Sequence, residues 1–288
     1  MQSNPRKSEP ATAYESSYGR VRRACFALFA CAALLAGHRG AVAQGESPDR
    51  GNGQTDAIAA LRKEGKKALA AAAKLARVPS GSEHEARIRA IESALEAYAG
   101  CIERFGKVPS IVADGEFRRG QLFAKLQQVE SACSAFERAA DSDTEVFGAR
   151  AWLEKAHVLR RHKRYTDALA AYRRSVTLPG PRYSGQARLW VGKTLVSLGR
   201  VPDARTSFGE LARDSKADAR LRVQAFDELA MSWIRENEAD AAARIHAEVD
   251  SAFATEVAGD DKTAIALARA IERMRSKKSL ARLRAKRS

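Results

Sequence analysis

Five columns of residues recur at a spacing of 36 through the middle of this chain, and they restrict its fold more than any other feature. Gly120, Ala156 and Gly192 form a column of small residues, and Phe123, Leu159 and Leu195 follow three places on. Ala132, Ala168 and Ala204 lie twelve after the first column, Phe136, Tyr172 and Phe208 four later, and Ala139, Ser175 and Leu211 three beyond that. A spacing of three and four places residues on one helix face, so each copy reads as two helices joined by a turn. The small residue on the first helix lets the second approach closely, and the Ala and aromatic of the second face inward. One such hairpin cannot cover its own apolar side. Consecutive copies must therefore stack into a solenoid.

The punctuation agrees. Gly199 suits a left-handed helix end, Pro202 with Asp203 suits the next helix start, and Pro179-Gly180-Pro181 interrupts between copies. Only 7% of residues are aromatic, and no alternating Val/Ile/Thr run suggests a strand. At 288 residues the chain has ample length for a buried core, which excludes small disulfide scaffolds.

These columns resemble the tetratricopeptide repeat family. The middle copy shows it best, with Trp152, Ala156, Leu159, Ala168, Tyr172 and Ser175, and Pro179 near the end. Three departures stand out: the period is 36 rather than 34, Lys155 stands where the family has Leu, and the first and third copies lack the closing proline. The resemblance implies an all-α, right-handed solenoid of antiparallel helical hairpins over 56–260, with its best copies at 113–148, 149–184 and 185–220. Ala230, Trp233 and Ala242 suggest a degenerate further copy, and Ala94, Tyr98 and Cys101 the second helix of an earlier one. Helices near 56–77 and 263–275 would cap the ends.

The ends of the chain read differently. Residues 1–43 combine basic residues, an apolar run from Ala24 to Gly37, and Ala41-Val42-Ala43 before Gln44, the pattern of an export signal cleaved after Ala43. The expected location is the periplasm or the exterior, with an N-terminal membrane anchor as the alternative. Residues 44–55 read as a linker. The formal charge of +15 is uneven: residues 1–43 hold six Lys/Arg against two acids, and residues 262–288 ten against one. The body between them, with 34 against 32, is close to neutral. That argues against a basic groove along the whole fold; export would remove nucleic acid as a partner, which without the signal would be a candidate. Removal of the signal would leave Cys101 and Cys133, which suit either a disulfide or two buried thiols.

No catalytic, metal-ligating or cofactor-binding residue is assigned. His84, His157, His162 and His246 have no ligand spacing with Cys or carboxylate, and no phosphate-binding loop or nucleophile motif is present. What remains is surface. In the family the first helix of each repeat lines a groove, so the resemblance places Arg118, Gln121 and Lys125, then His157, Arg160 and Arg161, then Trp190 and Lys193 in contact with a partner. Phe117, Leu153, Glu154, Gln186, Leu189 and Ser197 would line the same groove. The implied function is that of a non-enzymatic scaffold or adaptor of the bacterial envelope, holding another protein or peptide. The basic tail, Arg273–Ser288, offers an alternative partner class, anionic lipid or polysaccharide.

Overall fold

A computed structural model describes residues 50–259 and 261–276 of the chain, with side chains from Thr55 onward. The signal reading (1–43), the start of the linker and the tail beyond 276 lie outside the described residues. The chain from Asp49 on forms one unit, and among the described residues it holds eleven α-helices and no strand. No described helix is long and apolar enough to cross a membrane.

Helix α1 runs Arg50–Leu75, so helix begins inside the 44–55 segment expected as linker. It pairs with α2, His84–Arg104. Four further elements, α3 (Pro109–Lys125), α4 (Val129–Ser142), α5 (Ala149–Arg161) and α6 (Tyr165–Val176), make the next two hairpins. They are followed by α7 (Pro181–Ser197) with α8 (Val201–Arg213), and α9 (Ala219–Arg235) with α10 (Ala239–Ala252). A last helix, α11 (Lys262–Arg275), packs on α9. Each helix contacts the next one in the chain from α1 to α10, and first helices also meet across hairpins, α1 with α3, α5 with α7 and α7 with α9. This is a solenoid of helical hairpins.

The turn within the four hairpins from α3 to α10 is set by one left-handed residue each. Gln127, Lys163, Gly199 and Asn237 have φ of 61, 60, 74 and 64°. In all four the following N–H reaches back five residues, as Gln128 to the Phe123 carbonyl (3.0 Å), Arg164 to Leu159 (3.0 Å), Arg200 to Leu195 (2.9 Å) and Glu238 to Trp233 (3.0 Å). The left-handed residue itself donates to the carbonyl three back. This is the Schellman arrangement, which satisfies carbonyls that a helix end would otherwise leave open. The column of Phe123, Leu159 and Leu195 thus marks the residue that accepts the closing bond. Prolines at the starts of α3, α7 and α8 lose no helical hydrogen bond, because those N–H groups have no intrahelical partner.

The small-residue column works through close contact. A Cβ on Gly120 would stand 2.8 Å from the Phe136 ring, and one on Gly192 would press the Phe208 ring closer still. The inner columns are buried: Ala132, Ala139, Ala168, Tyr172, Ala204, Phe208 and Leu211 are all fully enclosed. Ser175, the polar member of its column, donates to the Ala149 carbonyl at 2.7 Å, so its burial leaves no open hydroxyl. The further copy at α9 and α10 follows the same columns at a spacing of 38, with Ala230, Trp233, Ala242 and Val249 after Gly192, Leu195, Ala204 and Leu211. Two extra residues enter between the starts of α8 and α9. Cys101 and Cys133 are free, buried thiols, each held up in pKa chiefly by burial.

Two substitutions isolate these devices. Gly199 has no neighbour near its missing Cβ, so Gly199→Ala is expected to cost about 1 kcal/mol from backbone strain alone, and Gln127→Gly to stabilise by less than that. Denaturant midpoints that move the other way would contradict the turn assignment. Gly192→Ala gains helix propensity of about 1 kcal/mol but must displace the Phe208 ring, which costs about 1–3 kcal/mol. A net loss of stability in urea unfolding is expected; a stabilised protein would show that the ring has room.

Candidate interaction surface

First helices carry one face toward the neighbouring first helix and another away from the second-helix layer. On the latter, residues recur in register: Asp114, Arg150 and Gln186; Arg118, Glu154 and Trp190; Gln121, His157 and Lys193; Lys125, Arg161 and Ser197. Ion pairs tie parts of this ladder. Arg118 bonds Asp114 at 2.8 Å, and Lys193 of α7 meets Glu228 of α9 at 3.0 Å.

The densest point is Trp190. Its ring stacks on Tyr172 of the preceding hairpin, with centroids 6.2 Å apart at 12°, and meets the His157 ring edge-on at 5.1 Å. Two cations lie against it, Arg160 at 4.3 Å and Lys193 at 5.0 Å from the ring centre. Trp190 remains partly exposed within this frame. Below it His157 Nδ1 and the Tyr172 hydroxyl share a hydrogen bond of 2.6 Å. Burial, aided by Arg160 and Arg161, pulls the His157 pKa from 6.5 down to about 4, and burial pushes Tyr172 up to about 12. Both groups are neutral near pH 7. Burial also raises the pKa of Glu154, against the pull of Arg150 and Arg161.

The residues proposed from sequence divide into groups. His157, Arg160, Trp190 and Lys193 form one cluster; Arg161 stands exposed at the end of α5, and Arg118, Gln121 and Lys125 occupy α3 without contacts to that cluster. Phe117, Leu153 and Leu189, expected to line the groove, are core residues 2, 3 and 4% exposed. Phe117 is held by the rings of Phe136 at 5.5 Å and Phe147 at 5.7 Å, and their column points into the helix layers rather than out of them. Tyr172 was legible as a core aromatic but not as the group that orients His157, because its partner belongs to the other helix of the hairpin. Two cavities, of about 630 and 590 Å³, lie further along, between α7 and α9 and between α9 and α11. Their sequence signal was the recurrence of Arg182 and Gln186 as Arg220 and Gln224 at a spacing of 38.

No family model and no curated protein matches the chain. Solved structures that it is similar to include YrrB, a TPR protein with an unusual peptide-binding site, at 17% identity over 75% of this chain and 97% of that one, with a TM-score of 0.44. MamA from Desulfovibrio magneticus RS-1 is 15% identical over 71% of this chain and 97% of that one, at 0.44. Aspartyl phosphate phosphatase F from Bacillus subtilis is 15% identical over 74% and 53%, at 0.49. The fold itself is defined by the hairpins described above.

The neutral His157 gives a pH signature. Its folded pKa lies below its ordinary value, so the unfolded chain binds the proton more readily and stability falls as pH drops from about 6.5 toward 4. The melting temperature of the native chain is expected to fall more steeply between about pH 7 and 5 than that of His157→Gln. Parallel declines would show that the imidazole is open to water.

Proposed function

We propose that the chain is a non-enzymatic scaffold of a bacterial cell envelope that holds a partner protein or peptide against its first-helix face. The observation that supports this most is the Trp190 cluster, an aromatic ring fixed by Tyr172 and His157 and flanked by Arg160 and Lys193, partly open on that face. A preset ring loses little freedom when a partner covers it, and Trp and Arg are the residues that anchor interfaces. Stacked hairpins supply the rest, since they present the side chains of successive helices at a fixed spacing. The envelope location rests on the export-signal pattern of residues 1–43.

Arg161 is exposed at the end of α5 beside this cluster, so Arg161→Glu alters the face with little effect on the core. Affinity purification from envelope extract is expected to recover a partner with the native chain and to lose it, by about tenfold or more, with Arg161→Glu. Recovery of the same proteins in the same amounts by both would remove this face as the binding surface.

A further inference from the structure

The cavities along α7, α9 and α11 are two parts of one trough, because Arg220 and Gln224 line both. Six cations border it: Arg182 and Arg188 on α7, Lys216 and Arg220 around the start of α9, and Arg269 and Arg273 on α11. Arg182, Lys216, Arg220, Arg269 and Arg273 are exposed. The acids facing the same space are already engaged. Asp214 is held by Arg188, Asp218 caps α9 by accepting from the Arg220 and Leu221 N–H groups, and Asp227 is likewise not free. With six lining cations against Asp214, Asp218 and Asp227 the trough is positive, drawing on both the nearly balanced body and the basic segment that carries Arg269 and Arg273.

Its shape selects among anions. Packed helices lie about 9 Å apart, so three in a row extend about 18 Å between outer axes, and an extended chain at about 3.3 Å per residue crosses that with about six residues. The cations sit at both ends and in the middle, too widely spread for one phosphate to meet. Between them the floor is apolar, with Ala270 half-buried and Val223 and Met274 packed beneath it in the core, a surface that a bare polyanion would leave unused. We propose that this trough holds an extended acidic segment of about six residues from a partner protein, its carboxylates met by the five exposed cations and an apolar side chain set on the floor. The inference rests on the scaffold reading and specifies the partner's chemistry.

The test uses the full chain and three probes: a fluorescent decapeptide alternating Asp and Glu with Leu, its Asn/Gln counterpart, and heparin. The acidic peptide is expected to bind about tenfold or more tightly than the amide counterpart, more weakly as salt rises, and to lose about tenfold with Arg220→Glu plus Arg269→Glu. Melting temperature checks that the double variant is folded; if reversal impairs folding, Arg220→Gln plus Arg269→Gln makes the same comparison. Equal binding of both peptides, undiminished binding by the folded double variant, or heparin binding without peptide binding would each overturn the proposal. If peptide binding fails while partner capture still depends on Arg161, the trough proposal falls and the scaffold reading stands. If the peptide binds and that capture is absent, the trough proposal is supported and the Trp190 face is not the site.

Discussion

The structure depends on the aromatic rings of α4 and α8 pressing on places where α3 and α7 have no side chain. Phe136 over Gly120 and Phe208 over Gly192 bring the two helices closer than a larger residue would permit. Close-packed interiors gain from such contacts because dispersion falls off within fractions of an ångström. The contact also fixes the rotation of the second helix, which places Ala132, Ala168 and Ala204 inward. The outward residues of the first helix then fall into the register that carries Trp190, Lys193 and Arg161.

Much of this was legible because a repeat states its own constraint several times. Three copies in step made Gly192, Phe208 and Ala204 readable as structural, and their burial follows the columns. The copy at α9 and α10 looked degenerate only because its spacing is 38; Trp233 accepts the same closing bond there as Leu195 does in its hairpin. The left-handed residues were legible only at Gly199. Gln127, Lys163 and Asn237 take the same conformation, with hydrogen bonds of the turn outweighing a local preference of about 1–2 kcal/mol. Groove lining was the weakest reading. Phe117, Leu153 and Leu189 lie one position away from the outward columns, and a helix turns about 100° per residue, so they enter the core.

Charge is distributed along the first-helix face in two ways. From α3 to α7 it is mostly paired or set against rings: Arg118 with Asp114, Lys193 with Glu228, Arg160 over Trp190. The Lys193 and Arg160 contacts link hairpins and the Arg118 pair stays within α3, although exposed pairs of this kind contribute at most about 1 kcal/mol each. Along the trough bordered by α7, α9 and α11, Arg182, Lys216, Arg220, Arg269 and Arg273 stand exposed, so the solvation lost on binding there can be offset by a partner's carboxylates. His157 stays uncharged amid this positive field because burial and the neighbouring guanidinium groups both oppose its protonation.

The central claim, that the first-helix face rather than the second-helix layer meets a partner, is tested most directly by in vivo photo-crosslinking. A benzophenone side chain at Gln186, on that face, is compared with one at Ala170, exposed on α6. The account predicts a discrete higher-mass adduct from Gln186 and none from Ala170. An adduct from Ala170 with none from Gln186 would contradict it.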